Sequence, residues 1–412
     1  MRDWSITTIG DHCTVTSSKR FHLSERSDEG VPFYCSKEII QKVNGVEIED
    51  CDYIREELYE QVKREFGVPE AGDLLITTRG TYGVPYIYQE NDRFYFADGN
   101  LTWLKDFDND LIAEYLYYWV RSYEGQKKID AIAKGTAQKA VPIAGIKTLQ
   151  LALPPVSEQK KIVKILLRYD NLIENNQKQI KLLEEAAQRL YKVGFVDLHF
   201  PGYENRKIVD GLPEGWQKSP IGKMVKIVRG RSYSSKELSD IDSVLMINLS
   251  NIRAYGGYNR NQEKRYNGKY NDEQVVETHD LLMGVTDMTQ ERRTVGRVAL
   301  VPNLHAKAMI SMDLIKLIPN ESSALFLYAL LNYGGYSEVV SRFANGTNVL
   351  HLRPDVLDIV DVVVPDAKTQ GIFVDFFGKI QNLIDMLQDE IIVAGEARDR
   401  LLPKLMSGEI EV

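Results

Sequence analysis

Two halves of the 412-residue chain are diverged copies of one sequence, and this internal repeat restricts the fold more than any other feature. At a constant offset of 211 residues, Pro154 falls on Pro365, and the tripeptide Asn-Leu-Ile of 171–173 recurs at 382–384. The register continues without a gap on both sides of these matches. Because proline and asparagine are among the shared positions, chance agreement of common apolar residues is a poor explanation. The repeat therefore predicts one domain that occurs twice.

The end of each copy predicts a long helix. Apolar residues recur there in alternating steps of four and three, the spacing of a heptad seam. A stripe of this kind more often lies on a globular core, but two helices of equal phase and unusual length favour an antiparallel coiled coil between them. Asn176 interrupts the first seam, and the repeat has no polar residue at the equivalent position. Whether Asn176 sets the register of the two helices stays open. The apolar seam comprises Ile162, Leu166, Tyr169, Ile173, Ile180, Leu183 and Leu190 in the first helix, and Phe373, Phe377, Ile380, Ile384, Leu387, Ile391 and Leu401 in the second.

The segments that precede the helices predict mixed α/β domains of ordinary size. Short β-rich runs such as DLLITT and VPYIYQ accompany the helical run LIAEYLYYWVRSY in the first copy, and VLMINL, LIKLIP and ALFLYALLNY repeat the pattern in the second. The predicted fold class is α+β: two repeated mixed α/β domains joined by two long antiparallel helices that form a coiled-coil spacer. The predicted boundaries are 1–155 for the first domain, 156–197 for the first spacer helix, 198–365 for the second domain, 366–402 for the second spacer helix and 403–412 for a C-terminal tail.

Composition argues against several classes of protein. The 43% of hydrophobic and 27% of charged residues are typical of globular chains. The first residues lack the apolar core of a signal peptide, and no window has the length and hydrophobicity of a membrane span. We therefore expect a cytoplasmic protein with no membrane partner. Cys13, Cys35 and Cys51 show no CxxC spacing, so neither a disulfide framework nor a metal site is predicted.

The known sequence motifs of catalysis are absent. The chain has no GxxxxGK[ST] phosphate-binding loop, no GxSxG elbow and no Asn-Pro-Pro-aromatic tetrapeptide of the adenine methylase kind. Asp355, Asp358 and Asp361 are spaced by three, but no lysine accompanies them, and we interpret them as surface acids. We therefore expect a chain that is not an enzyme and holds no cofactor itself.

One segment has the side chains that DNA reading requires. Residues 248–270 carry five basic side chains and a single acid, interleaved with tyrosine and asparagine. Arginine can form paired hydrogen bonds with guanine and asparagine with adenine, while lysine holds phosphates. The same residue types also build ordinary surface loops, and the net charge of −8 argues against a polyanionic partner. The acidic excess, however, lies outside the second domain.

The candidate DNA-binding residues form two sets. In the first domain they lie in TTRGTYG and KGTAQK, where a solvated loop is an equally good interpretation. In the second domain they lie between 229 and 265 and in one arginine pair. They are Arg79, Thr81, Lys134, Gln138 and Lys139 in the first domain, and Arg229, Arg231, Tyr233, Arg253, Tyr255, Tyr258, Arg260, Lys264, Arg265, Arg292 and Arg293 in the second.

The two helical segments and the C-terminal residues resemble a known family. The run LPPVSEQKKIVKIL and the ending RLLPKLMSGEIEV are similar to the specificity subunit of type I restriction-modification systems. The family also tends to carry a loop with glycine and serine or threonine before the last strand of each domain, which Gly135-Thr136 with Gln138 and Gly346-Thr347 match. The resemblance covers the whole repeat architecture and is weakest within the two domains.

The resemblance implies an adaptor. Each domain would be a target-recognition domain that reads one half of a bipartite, asymmetric site on double-stranded DNA. The helices would fix the gap between the halves, about one turn of DNA or ~34 Å. Modification subunits, expected to be two, would bring S-adenosylmethionine, and restriction subunits would bring ATP and Mg²⁺. No cofactor would be bound by this chain.

Two other classes of function remain open from the sequence. One is a stand-alone enzyme that cleaves or modifies DNA through an unrecognised site. The other is a coiled-coil scaffold whose domains bind protein. Cleavage or methylation of DNA by the purified chain alone would support the first.

Overall fold

The computed structural model describes residues 4–46, 48, 50–135, 139–260 and 262–412. The chain divides into two compact units. The first unit comprises residues 1–176 and 390–412, and the second comprises residues 177–389. Each unit therefore contains one half of each long helix.

The first unit is built on two four-stranded sheets. One is antiparallel with the order β2-β9-β6-β7, the other has the order β3-β5-β4-β8, and β1 pairs with β10. The strands are β1 (Ser5–Thr8), β2 (Thr14–Thr16), β3 (Arg26–Ser27), β4 (Val31–Tyr34), β5 (Asp52–Ile54), β6 (Leu74–Thr77), β7 (Pro85–Ile87), β8 (Tyr95–Phe96), β9 (Leu101–Lys105) and β10 (Gln150–Leu153). The helices are α1 (Ser36–Val43), α2 (Glu56–Glu65), α3 (Ala113–Arg121), α4 (Tyr123–Ile132), α5 (Ile143–Lys147) and α6 (Val156–Tyr191).

The second unit repeats this plan. Its sheets have the orders β14-β22-β18-β20 and β16-β15-β21-β17, and β13 pairs with β24. The strands are β11 (Ile208–Val209), β12 (Leu212–Pro213), β13 (Gln217–Pro220), β14 (Val225–Arg229), β15 (Val244–Ile247), β16 (Lys264–Tyr266), β17 (Val275–Val276), β18 (Leu281–Gly284), β19 (Thr286–Asp287), β20 (Val298–Leu300), β21 (Ala308–Ile310), β22 (Leu314–Pro319), β23 (Leu350–His351) and β24 (Asp361–Val364). The helices are α7 (Ile221–Met224), α8 (Ala324–Asn332), α9 (Tyr336–Ser341) and α10 (Ala367–Met406).

The repeat read from the sequence is a repeat of topology. The sheet β2-β9-β6-β7 corresponds to β14-β22-β18-β20, and all neighbours in both are antiparallel. In the other sheet, the single parallel pair β4–β8 corresponds to β15–β21. The predicted α+β class with two repeated domains and two long helices is therefore confirmed.

A hydrogen bond explains why both copies have a proline followed five residues later by a glutamine. In the first unit the Gln159 side chain donates to the Pro154 carbonyl at 2.9 Å, and in the second the Gln370 side chain donates to the Pro365 carbonyl at 2.7 Å. The last strand of each domain is thus tied to the first turn of its long helix. These bonds satisfy carbonyls that the turn would otherwise leave without a partner.

Strand β6, one of the two inner strands of its sheet, separates two apolar clusters of the first unit. Leu74 and Ile76 face the cluster that contains Trp119 of α3, whereas Leu75 lies in the cluster of Ile39. Alternate side chains of a strand point to opposite faces of the sheet, so a strand covered on both faces needs an unbroken apolar run. Leu74, Leu75 and Ile76 meet that requirement, and all four residues of β6, including Thr77, are buried.

The predicted seam positions of α6 and α10 are buried or half-buried throughout. In the first unit the helices run antiparallel, because the Asp170 carboxylate accepts from Arg398 at 2.6 Å and the Asn176 amide donates to Glu390 at 2.7 Å. Asn176 is only 2% exposed, so Glu390 supplies the polar counterpart that the repeat lacks. In the second unit, Tyr191 of α6 packs on Phe373 of α10 with ring centroids 5.9 Å apart.

The helix ends differ from the predicted boundaries at 197 and 402. The α-helix α6 ends at Tyr191 and is followed by a π-helical turn, Lys192–Val196. Helix α10 continues through Pro403 to Met406, into the predicted tail. A proline inside a helix costs about 3 kcal/mol, but burying each of Leu402, Leu405 and Met406 contributes roughly 1.5–3 kcal/mol. The apolar contacts therefore extend the helix. Within the described residues, no helix is long and apolar enough to cross a membrane.

Candidate nucleic-acid interface

In the first unit, the turn after β6 lies beside a hydrogen-bonded pair of residues, Lys134 and Ala140. The backbones of Lys134 and Ala140 exchange hydrogen bonds of 2.9 and 2.8 Å, and Ala140 also forms a bridge with Arg79. Arg79, Lys134 and Lys139 are exposed. Thr81 is exposed as well, and its carbonyl accepts from the Thr77 hydroxyl at 2.9 Å. Gln138, like Thr136, lies outside the described residues.

An open cavity adjoins this turn and is lined by Tyr82, Tyr123, Gln126, Lys127 and Asp130. The Asp130 carboxylate accepts from the Tyr82 hydroxyl, which together with Lys139 lowers the pKa of Asp130. Tyr123 is 77% exposed, and Lys127 lies one turn further along α4. The sequence analysis does not single out Tyr123, because it belongs to an aromatic run whose other members are buried or half-buried.

The second unit has the same arrangement of a loop beside a hydrogen-bonded pair of residues, and we call this arrangement the edge. Asn345 and His351 form the bridge that Lys134 and Ala140 form in the first unit, at the same offset of 211, and His351 pairs with Thr286 of β19. The loop between β19 and β20 carries Arg292 and Arg293. The Gln290 side chain donates to the Thr347 carbonyl at 2.8 Å, which joins this loop to the segment between Asn345 and His351.

Hydrogen bonds to Asp287 hold the conformation of that loop. Its carboxylate accepts from the backbone N–H groups of Thr289, Thr294 and Val295 at 2.8, 2.6 and 3.3 Å. Burial alone would raise the pKa of Asp287, but these bonds lower it, so the ionised form is the one that holds the loop. The loop is therefore shaped by one buried acid, and it exposes Arg293 while Arg292 is half-buried.

Tyr255 packs against the same loop. Its N–H donates to the Arg293 carbonyl at 2.7 Å, and the Arg297 guanidinium lies 5.5 Å from its ring centroid. Tyr255 is 59% exposed. Both Tyr255 and Arg292 have positive φ, at 67° and 54°. Non-glycine residues adopt this conformation at a cost that is met mainly at functional sites.

A second basic group lies at the end of β14. Arg229 and Arg231 are exposed on either side of Gly230, where a Cβ would lie 1.9 Å from the Ser311 carbonyl oxygen. Glycine is required for this close approach. The Lys264 ammonium donates to the Tyr233 hydroxyl at 2.6 Å, and Arg265 is exposed next to it on β16. The structure thus brings Tyr233 and Lys264 together from thirty-one positions apart, whereas Arg265 follows Lys264 in the strand and points to the opposite face.

Three predicted residues do not join either group. Tyr258 is 7% exposed and lies in the apolar cluster of Ile247. Arg253 forms an ion pair with Glu184 at 2.6 Å, and Arg260 forms one with Asp389. Their guanidinium groups therefore face the long helices of the second unit.

Groups that could serve catalysis are few among the described residues. Burial raises the pKa of the Cys13 thiol to about 12 and also raises the pKa of the other two cysteines, so none is a ready nucleophile. His12, Asp108 and Asp110 could offer ligand atoms within 4.8 Å of one another, and the His12 Nδ1 already contacts the Asp108 carboxylate at 2.7 Å. Asp355, Asp358 and Asp361 are exposed, as predicted for surface acids.

Comparison with protein families decides what this arrangement belongs to. The model of the type I restriction modification DNA specificity domain matches twice, at residues 1–185 and 213–394. The chain belongs to the type I restriction-modification DNA specificity family. The resemblance read from the sequence is therefore confirmed, and DNA specificity in such a system is its function at the level of the family.

Curated relatives of this specificity-family chain cover most of its length. It is 26% identical to the type I restriction enzyme MjaIX specificity subunit of Methanocaldococcus jannaschii, over 83% of this chain and 78% of the relative. It is 22% identical to the MjaVIII specificity subunit of the same organism, over 100% of this chain and 93% of the relative.

A solved structure shares the fold of the specificity-family chain. The type I restriction-modification S subunit from M. genitalium superposes with a TM-score of 0.60 at 16% identity, over 98% of this chain and 96% of that one.

Proposed function

We propose that this chain reads a bipartite, asymmetric site on double-stranded DNA, with one domain for each half-site, within a type I restriction-modification complex. The observation that carries the proposal is the recurrence of one exposed edge in both units. In each unit, the loop or turn after β6 or its counterpart β18 meets a hydrogen-bonded pair of residues. These pairs, Lys134 with Ala140 and Asn345 with His351, lie at equivalent positions. Basic side chains project from this edge in both units.

The chemistry of the two edges suits DNA. Arginine and lysine contribute phosphate contacts that fix the register of a protein on the duplex, and arginine also reads guanine in the major groove. Arg79 and Lys134 would make such contacts in the first domain, and Arg231, Arg292 and Arg293 in the second. The exposed ring of Tyr255 adds a surface for apolar contact with a base or sugar.

Partner subunits would supply the chemistry. We propose that two modification subunits bind the long helices and bring S-adenosylmethionine, that restriction subunits bring ATP and Mg²⁺, and that this chain is non-catalytic. Support comes from an exposed apolar stripe on α10 in the second unit, where Phe376 is 58%, Leu383 42% and Met386 66% exposed. Exposed apolar side chains grouped on one helix face are typical of a protein interface.

Replacing both Phe376 and Met386 with aspartate should weaken binding of the modification subunits by about tenfold or more, because each loses apolar contact area worth more than 1 kcal/mol. Calorimetric titration of the chain with purified modification subunit would measure this. The matched control replaces Ile208 and Ile359, which are 62% and 66% exposed, with aspartate. Equal affinity of both double variants would remove the stripe from the interface.

The proposed function is tested by mapping methylated adenines in a genome that expresses the chain with its modification subunits. We expect one motif with two defined halves and an unspecified spacer of fixed length. Omission of this chain should abolish that motif. Methylation with an undivided motif, or DNA cleavage or methylation by the purified chain alone, would contradict the proposal and favour a stand-alone enzyme.

A further inference from the structure

Several loops of the second unit converge on one acidic surface of its long helices. The surface consists of Glu184 on α6 and of Asp385 and Asp389 on α10, and we call it the acidic seat. Asp385 and Asp389 are four residues apart and therefore lie on the same helix face. The side chains that reach the seat are Arg253, Arg260, His279 and His305.

Arg253 is fitted into the seat by its surroundings. Its Nη2 lies 2.6 Å from the Glu184 carboxylate. A Cβ on Gly257 would lie 2.4 Å from the same nitrogen, and Gly257 also has φ +92°. The loop thus needs glycine at 257 for two reasons, and one of them is to leave room for the arginine. Tyr328 and Tyr333 of the domain line the same small cavity.

Arg260 is held more deeply. Its side chain is 11% exposed and is paired with Asp389. Among the described residues, its Nε and Nη2 have no hydrogen-bond partner. Asp389 is therefore the group that compensates the buried charge, and loss of that carboxylate would leave the guanidinium uncompensated in a poorly solvated place.

The histidine contacts come from two further loops. His279 Nε2 lies 2.7 Å from Asp385, whose other oxygen accepts from Gln381 at 3.0 Å. His305 Nε2 lies 3.6 Å from Asp389. The seat therefore joins residues before β18 and before β21 to the helix that also holds the loop of 248–260.

We propose that Arg253 and Arg260 are positioning residues, which fix the 248–260 loop on the acidic seat so that Tyr255 meets Arg293 at the DNA-reading edge. This inference rests on the proposed function for what the edge reads. Arg253 and Arg260 are paired with carboxylates of the long helices, whereas Arg293 is exposed and pairs with Glu291 of its own loop. A contact to DNA by Arg253 or Arg260 would require breaking its ion pair.

The test replaces acidic residues of the long helices and leaves the sequence of the loop unchanged. Glu184→Gln and Asp389→Asn keep side-chain size and remove the two carboxylates. Hydrogen exchange of the full chain without DNA should show faster exchange of backbone amides in 248–260 in the double variant, while a Glu185→Gln control on the exposed face of α6 exchanges as the wild type does. Unchanged protection of 248–260 would overturn the proposal, whatever the outcome for DNA.

A charge exchange separates positioning from contact in the assembled complex. Arg260→Asp alone should lower methylation of the mapped site about tenfold or more, and the added Asp389→Arg should restore most of the loss, because the pair is re-formed with the charges reversed. If Arg260 contacts DNA, the exchanged pair stays as defective as the single variant, and the proposal is wrong. A wild-type complex that methylates no defined site would instead refute the proposed function, and the hydrogen-exchange measurement, which needs no DNA, would still decide the inference.

Discussion

Replacing both Arg229 and Arg231 with alanine should lower methylation of the cognate site by roughly 100-fold, since each arginine contact to phosphate or guanine is worth about 1–3 kcal/mol. Both side chains are exposed at the end of β14, and the backbone there is fixed by hydrogen bonds from Gly230 to Leu314 and from Arg231 to Ile310. The loss should therefore come from DNA contacts and not from unfolding. Initial methylation rates of the assembled complex on duplexes with the mapped site would measure it.

The matched control is the pair Arg342→Ala and Arg353→Ala, which removes the same charge from the same domain. Both are exposed and pair only with near neighbours in sequence, Glu338 and Asp355. The control should retain methylation within about threefold, because surface ion pairs of this kind contribute little. Equal losses in the two double variants would mean that only the net charge matters and that β14 does not end at the reading surface.

Replacing Asp170 with alanine should destabilise the first unit by about 1.5–3 kcal/mol, because it removes the carboxylate that two half-buried arginines share and leaves Arg398 paired with the exposed Asp399. Asp170 on α6 accepts from the Tyr118 hydroxyl at 2.7 Å, from Arg121 at 3.1 Å and from Arg398 of α10 at 2.6 Å. It thereby links α3 and both long helices within that unit. Urea unfolding of the full chain, followed by fluorescence, should show an earlier first transition.

The control for this change is Glu185→Ala, which removes an exposed acid from the same helix. Its midpoint should equal that of the wild type. A shift of less than about 1 kcal/mol for Asp170→Ala would contradict the role assigned to the network, since exposed ion pairs already reach that value.

The repeat, the fold class and the long helices could be predicted because their signals are periodic. A heptad spacing depends only on residue type and position, and the seam side chains, including the interrupting Asn176, are indeed withdrawn from solvent. Strand β6 follows the same logic, since its first three buried residues are all apolar.

The candidate site was predictable only in part. Arginines such as Arg231 and Arg253 have similar neighbours in sequence, yet one lies on the surface and the other faces Glu184, sixty-nine residues away. Such long-range pairings depend on loop conformation, and a sequence pattern does not encode them locally. Tyr123 is the opposite case. Its residue type and its aromatic neighbours suggest a buried position, but it is exposed because the helical segment breaks between α3 and α4 at Ser122.

Backbone hydrogen bonds join Lys134 to Ala140 and, at the equivalent positions of the second unit, Asn345 to His351. Such bonds form equally well whatever side chains these residues carry, provided that proline is avoided. Substitutions at these positions should therefore leave the backbone pairing of each unit intact. Under the proposed function, the residues best placed to change the preferred base pairs are then also those whose replacement costs the fold least.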